Sequence, residues 1–416
     1  MITMEEVVRI ADELEKENNR RMAQDPLVQT ALKVVEDFLK SHPTLCYGGT
    51  AINNLLPPED RFYDPKTEVP DYDFFSRTPQ EHAMFLANKL KEAGIKNIEV
   101  KPGIHLGTFK VFADFEGVAD ITELEPLIFD RLWDEKIVRD KIHYVSPDFL
   151  RMSMYLELSR PRGDVSRWKK VYERLLLLNK HYPIDCVVKK TAPHPEFDDD
   201  NRRKLRKMLL EEPVVLLGAS AAEVHLYKEF TTPAMLLAEK DTIEKLTKGK
   251  TVKFYEGTEI LPPMYTVVEE DGSVQFKFYE TTACHSYHSI QGGGKVASIP
   301  TILQFFFAYI YSAKGSKENI ANTLCIAQRL MDLAAHRPKR RFEILTPKDC
   351  IGIQHTKTDL RKQKATLYEE YSKNKDSADF VRYFFTYDPR ASDEERKKAR
   401  NRLRKTRRAR LEKSAE

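Results

Sequence analysis

The stretch Pro70-Asp71-Tyr72-Asp73-Phe74-Phe75 alternates carboxylates with aromatic rings. In a strand, residues two apart share a face, so Asp71 and Asp73 project together while Tyr72 and Phe74 project to the other side. Two like charges held side by side are costly without a cation, and hard carboxylate oxygens suit Mg²⁺ or Mn²⁺. A third acid is expected from a neighbouring strand, where Val118-Ala119-Asp120-Ile121 supplies Asp120. Asp71, Asp73 and Asp120 then form a three-carboxylate site able to hold two metal ions, the arrangement used for in-line phosphoryl transfer. Gly48-Gly49-Thr50 adds a small-residue turn at a strand-to-helix junction, where backbone N–H groups and the helix N-terminus favour an anion. Alone, such a turn is unspecific; with the three acids in this order it points to a phosphorylated substrate.

The elements that must position these residues are readable from periodicity. Residues 4–24 and 26–40 carry apolar residues at helical spacing, Val7, Ile10 and Leu14 in the first and Leu32, Val35, Phe38 and Leu39 in the second, with Pro26 opening the second. From Leu45 the pattern becomes a short strand, the Gly-Gly turn, a short helix, a Pro-rich loop and the strand carrying Asp71 and Asp73. A helix from about Pro79 to Ala93 precedes strands at 97–101, 108–114 and 118–123, with a turn predicted at Glu116-Gly117. Helices are expected over Phe149–Ser159 and 164–181. A Pro- and Asp-rich stretch, 183–200, is the expected domain boundary. Beyond it, Val214–Ser220 runs from an apolar strand into Gly218-Ala219-Ser220 and a helix, echoing the first half, but the later strands at 251–255, 264–268 and 274–278 hold no Asp-x-Asp. The expected division is N-terminal helices (1–40), a catalytic domain (41–185), a second degenerate copy (200–350) and a helical extension with a basic tail (351–416).

The segments YGGTAINNLLP, PDYDFFS, GTFKVFADFEGVADIT and RMSMYLELSRPRGDVSRWKKVYERLLLLN resemble the poly(A) polymerase catalytic subunits of large nucleocytoplasmic DNA viruses, within the DNA polymerase β-like nucleotidyltransferase superfamily. The resemblance runs from about residue 30 to 350. GG, Asp-x-Asp and a third Asp are common to the superfamily, whereas YGGTAINN with DYDFFS and LSRPRGDVSRWKKVYERL are particular to the viral group. It implies an α/β (α+β) fold of two nucleotidyltransferase-like domains, the second without catalytic acids, with ATP and an RNA end in a cleft between them. It further implies addition of AMP from ATP to RNA 3′ ends. Asp71 and Asp73 would bridge two Mg²⁺ or Mn²⁺ ions, Asp120 would hold the ion at the primer hydroxyl, and Gly48, Gly49 and Thr50 would cradle phosphates.

Further site residues stay open between two roles each. Asn53 and Asn54 are candidates for sugar or phosphate contact, with a helix cap or surface role as the alternative. Arg151, Ser153 and Tyr155 share a helix that packs Phe149, Met152 and Leu156 inward, so some of them are candidates to face the cleft. Arg160, Arg162, Arg167, Lys169 and Lys170 form a dense basic stretch around Trp168, suited to phosphate contacts or to solvent. Arg151 and Lys169 are assigned to ATP; Arg160, Arg162, Arg167 and Lys170 to RNA. Alternative activities on the same machinery are a uridylyl- or CCA-adding transferase, and from another class a non-catalytic RNA-binding scaffold.

The remaining features narrow the class. The 416 residues, 41% apolar and 32% charged, fit two soluble globular domains and exclude collagen-like or wholly disordered chains. Ile299–Ala313 is too short for the roughly 18–20 residues of a spanning helix, and the acidic N-terminus lacks a signal-peptide pattern, so no membrane partner and a cytosolic chain are expected; the resemblance to viral enzymes implies the host cytoplasm or the virion. Eleven Lys/Arg against one Glu between Arg396 and Lys413 give +10, and with +4 overall the rest of the chain carries −6. That tail suits nucleic-acid phosphates or a solvated helix. Five scattered cysteines without a CxxC pair are expected to be reduced structural thiols. Cys284, His285 and His288 lack a second ligand pair and read as strand alternation. Gly292-Gly293-Gly294-Lys295 lacks P-loop spacing. A homodimer and a separate processivity subunit are both compatible with the resemblance.

Overall fold

The computed structural model describes residues 3–64, 66–184, 186, 199–227, 234–290, 292–312, 317–336 and 342–413; most of the expected linker at 183–200 lies outside them. Two compact units emerge, one made of Met1–Ser146 with Lys357–Glu416, the other of Pro147–Thr356. The division therefore falls about forty residues before the expected boundary, because the helix opening at Pro147 packs its apolar face within the second unit.

Helices α1 (Met4–Gln24) and α2 (Pro26–Ser41) open the first unit. Asp25 caps α2, its carboxylate accepting from Leu27 N at 2.7 Å, and Pro26 takes the first helical position, where no N–H is needed. The stripe of α2 is buried at Leu32, Val35, Phe38 and Leu39, whereas Val7, Ile10 and Leu14 of α1 remain exposed. Strand β1 (Leu45–Tyr47) leads into α3 (Gly48–Leu55), then β2 (Tyr72–Ser76), α4 (Pro79–Glu92), β3 (Ile98–Pro102), β4 (Thr108–Ala113), β5 (Glu116–Glu123), α5 (Pro126–Asp134), β6 (Ile137–Arg139) and β7 (Ile142–Tyr144). The seven strands order as β3-β4-β5-β2-β1-β7-β6. Tyr72 and Phe74 of β2 point into the core, as alternation requires; burying a ring such as Phe74 contributes roughly 2–3 kcal/mol. The β4–β5 turn falls at Asp114-Phe115, both with positive φ, instead of Glu116-Gly117. Asn97 fixes it there: its Nδ2 donates to Asp114 Oδ1 at 2.8 Å and its carbonyl accepts from Asp114 N at 2.7 Å.

The second unit begins with α6 (Pro147–Leu158) and α7 (Trp168–His181), followed by α8 (Asp199–Glu211), β8 (Val215–Leu217), α9 (Gly218–Tyr227), β9 (Met235–Ala238), α10 (Lys240–Thr247), β10 (Thr251–Tyr255), β11 (Met264–Val268), β12 (Val274–Glu280), β13 (His285–Ser289), β14 (Lys295–Ala297), α11 (Ile299–Ser312), α12 (Lys317–His336) and β15 (Cys350–Ile351). Its order is β10-β11-β12-β9-β8-β14-β13-β15. Strand for strand this repeats the first sheet: β8 is antiparallel to β9 as β1 is to β2, β9 parallel to β12 as β2 is to β5, and β8 parallel to β14 as β1 is to β7. The second sheet thus repeats the arrangement of the first, with β15 added at one edge.

The chain then returns to the first unit through α13 (Lys357–Tyr371), α14 (Ala378–Phe384) and α15 (Asp393–Lys413). Tyr387 forms a bridge with Val100 of edge strand β3, through N–H···O contacts of 2.9 and 3.1 Å, and Gln80 Nε2 donates to Arg382 O at 3.0 Å. The basic tail is helical to Lys413, and α15 buries Leu403 and Thr406. Among the described residues no helix is long and apolar enough to cross a membrane.

Four of the five cysteines are not free thiols. Cys186 pairs with Cys325 and Cys284 with Cys350, leaving Cys46 alone. Spacing could not reveal this, because β15 is brought beside β13 only by the fold, Ser286 lying opposite Cys350. Cys284 is thereby also removed as a metal ligand. Thiol titration of the oxidised, denatured protein should find one reactive cysteine, and all five after reduction; five without reduction would contradict the pairing.

Candidate active site

The site is built where β1 ends. Gly48 turns the chain into α3 at φ +74°, a left-handed conformation open to glycine without steric cost. A methyl group there would stand 2.6 Å from Asp73 Oδ2, so glycine supplies both the turn and the space for a carboxylate. Tyr47 lies opposite Asp73 across β1 and β2, and Asp73 opposite Asp120 across the parallel pair β2 and β5. Asp71 sits one residue before β2 begins. Thr50, buried on α3, donates its hydroxyl to the Asp71 carbonyl at 2.7 Å and fixes that backbone.

Electrostatics confirm that the three acids share one neighbourhood. Burial raises the Tyr47 phenol first, and the charges of Asp73, Asp120 and Asp71 raise it further. Asp71 itself is pushed above the usual carboxylate range, by desolvation and then by Asp120, with Lys110 acting in the opposite sense. The residue as a whole is exposed, so the crowding concerns its carboxyl group. Lys110 is the cross-strand partner of Asp120 and pairs with its Oδ2. This lysine was not singled out from the sequence, although its alternating position in the GTFKVF strand, on the face of the acids, was the available signal.

Among the described residues no three His, Cys, Asp or Glu side chains already form a metal cage, and a lysine holds Asp120 instead. The donor set still fits a hard divalent ion: all three groups are carboxylates, and Asp71, raised by desolvation and then by Asp120, would be favoured in its charged form by a cation.

Other expected site residues have different work. Asn53, assigned to ATP, is buried; its Oδ1 accepts from Phe62 N and Tyr63 N, both at 2.9 Å, and its Nδ2 donates to Asn54 Oδ1. It pins the loop after α3, its oxygen taken up by two backbone N–H groups. Asn54 Nδ2 donates to the Tyr144 hydroxyl at 3.1 Å. Arg151, also assigned to ATP, is 2% exposed. Its guanidinium donates to Asn179 Oδ1 at 2.8 Å and also to Asp148 and the Tyr182 carbonyl. This is a buried clamp between α6 and α7, since an enclosed charge must be paired. Tyr155 is likewise buried, and Ser153 donates to Phe149 O at 3.3 Å.

The basic stretch belongs to the second unit. Arg162, Lys169 and Lys170 are exposed, and Arg167 pairs with Glu157 at 3.3 Å. Arg160 lines a cavity of about 170 Å³ with His285 and Gln304; Arg160 Nε, His285 Nδ1 and Gln304 Oε1 are buried there without a hydrogen-bond partner among the described residues.

The fold and its duplicated sheets have a counterpart among solved structures. They match the crystal structure of the Megavirus polyadenylate synthase with a TM-score of 0.77 at 20% identity, over 96% of this chain and 89% of that one. Residues 33–164 match the family model described as the poly(A) polymerase catalytic subunit. The chain is similar to proteins described as such subunits in African swine fever virus (isolate Tick/Malawi/Lil 20-1/1983), 35% identical over 42% of this chain and 37% of the relative. The similar protein of Acanthamoeba polyphaga mimivirus is 32% identical over 39% of this chain and 28% of its own length. The chain therefore spans under two fifths of these relatives, and the resemblance to viral poly(A) polymerase catalytic subunits stands for the matched segment.

Two outcomes follow from the geometry. Because the folded-state pKa of Asp71 lies above its ordinary 3.8, its ionised form destabilises the fold, and stability is lost as pH rises through the raised value. Without divalent metal, Asp71→Asn should melt above wild type at neutral pH, with the gap closing as pH falls below 3.8; a lower-melting variant at neutral pH would contradict the crowding. Gly48→Ala should cost about 1–3 kcal/mol in urea unfolding, from forced positive φ and the collision with Asp73.

Proposed function

We propose that the chain is a template-independent polynucleotide adenylyltransferase that extends RNA 3′ ends with AMP from ATP. The observation that carries this reading is the register setting Asp73 against Asp120 with the Gly48 turn against the Asp73 carboxylate. The similarity to viral poly(A) polymerase catalytic subunits supports the choice of RNA and ATP.

Asp71, Asp73 and Asp120 are the residues that would hold Mg²⁺ or Mn²⁺. Two such ions supply Lewis-acid stabilisation of the phosphoryl oxygens and make the primer hydroxyl easier to deprotonate. The chain's own residues do the positioning. Asp73 and Asp120 are fixed by paired strands, and Thr50 holds the Asp71 backbone. The N-terminal N–H groups of α3, at Gly48 and Gly49, offer donors and a positive dipole end to the nucleotide phosphates. Lys110 balances Asp120 and supplies positive charge beside the reacting groups. Arg162, Lys169 and Lys170, exposed on the second unit, suit RNA or triphosphate contact. On this reading the substrate is viral mRNA in the host cytoplasm, served by a homodimer or by a chain with a separate processivity subunit.

The test is extension of a labelled oligoribonucleotide with Mg²⁺ or Mn²⁺ and each NTP separately. A ladder with ATP alone is expected, and Asp73→Ala should lower the rate by at least about a thousandfold, as loss of a group acting in phosphoryl transfer does. A ladder with UTP or CTP would move the substrate, and extension surviving in Asp73→Ala would remove the carboxylate assignment.

A further inference from the structure

The two sheets can be compared position by position. Gly48, which turns β1 into α3, corresponds to Gly218, which turns β8 into α9 at φ +67°. Tyr47 lies opposite Asp73, and Leu217 opposite Met235. Asp73 lies opposite Asp120, and Met235 opposite Lys277. A methyl group on Gly48 would meet Asp73 Oδ2; one on Gly218 would meet Met235 Sδ at 2.9 Å. The second unit therefore keeps the geometry of the carboxylate site and replaces Asp73 with a thioether and Asp120 with an ammonium group.

This position is not filled in. It opens into a cavity of about 300 Å³ bordered by Gly218, Met235, Lys277, Tyr279, Tyr309 and Asn322, with Phe305 and Phe306 of α11 completing the aromatic wall. The Lys277 ammonium makes no hydrogen bond or ion pair among the described residues, and burial alone lowers its pKa. An ammonium in that state gains from an anion, because no carboxylate offsets its charge. Asn322 Oδ1 is buried and meets no donor among the described residues. The cavity thus offers a cation, aromatic faces and a buried acceptor, within a volume at the lower end of the range for small-ligand pockets.

We propose that this cavity of the second domain binds a nucleoside phosphate without a metal ion. Lys277 takes the phosphate, supplying as a fixed charge what metal ions would supply at the acidic site and repelling any divalent cation. The base lies against Tyr279, Tyr309 and the phenylalanines, where ring stacking is sequence-tolerant. Asn322 Oδ1 accepts from a base N–H, which favours bases carrying an exocyclic amino group. The chemistry is the same whether the nucleotide is free in solution or belongs to an RNA strand. The inference stands on the second sheet and its cavity, independently of any extension activity.

The test uses the full chain in EDTA. Binding of AMP carrying a fluorescent ribose label is measured by anisotropy, with unlabelled AMP, adenosine and a short oligoadenylate as competitors. Wild type should bind saturably in EDTA, and adenosine, lacking the phosphate, should compete poorly. Lys277→Met, which keeps the side chain's bulk, should weaken binding about tenfold or more, as removal of one member of an enclosed charge pair does. Lys277→Arg should retain binding, as should Asp73→Ala, whose lesion lies in the other sheet. Oligoadenylate competing better than AMP would identify an RNA nucleotide as occupant, and the reverse order a free one. Should Lys277→Met fail to fold, acetylation of wild-type Lys277 followed by mass spectrometry gives the same answer, since AMP should protect it. Absence of saturable binding in EDTA, equal binding by Lys277→Met, or loss of binding in Asp73→Ala would overturn the proposal.

Discussion

Carboxylates repel one another, and the first sheet is arranged so that three of them remain close despite it. Backbone pairing fixes Asp73 beside Asp120 through the parallel register of β2 and β5, while the rings of Tyr72 and Phe74 anchor the opposite face of the strand in the core. The hydrophobic face thus opposes the electrostatic cost carried by the polar one. Lys110 offsets part of the charge, and the pKa of Asp71 is raised by desolvation first and by Asp120 second. Gly48 belongs to the same balance, since any larger residue would push Asp73 from its position.

The second sheet shows what the scaffold does when that burden is lifted. Its strand order and pairings are those of the first, yet Met235 and Lys277 occupy the positions of Asp73 and Asp120. The topology therefore does not depend on the acids. It depends on buried strands such as Val215–Leu217 and on the apolar alternation of β12, with Phe276 and Phe278 inward. Fold and chemistry are separable within one polypeptide, and the side chains on one face of two strands decide the charge of the site.

Much of the first unit was legible because its signals are local. Asp-x-Asp in a short strand, a Gly-Gly turn before a helix, and a hairpin delivering Asp120 all lie within a few residues of the features that identify them, and the echo at Gly218 was visible for the same reason. What escaped depends on contacts distant in sequence. Arg151 reads as a candidate ligand until Asn179 and the Tyr182 carbonyl are brought against it by α7. Asn53 reads as a candidate for sugar or phosphate contact until the loop at Phe62 and Tyr63 folds back on its oxygen. Cys284 and Cys350 are separated by 66 residues and meet only through an added edge strand. Lys110 lay within a correctly expected strand, but a lysine opposite an aspartate is common enough on sheet surfaces to carry little weight by itself.

The return of residues 357–416 to the first unit has a consequence for how the molecule is made. The second unit is one continuous stretch, so all its contacts are available once Thr356 has left the ribosome. The first unit is not in that position. Its edge strand β3 lacks the Tyr387 bridge, and α4 lacks the Arg382 carbonyl that accepts from Gln80, until roughly three hundred further residues have been translated. The unit that carries the carboxylate site is thus completed after the other, and during synthesis it is the one exposed to premature association through an uncovered strand.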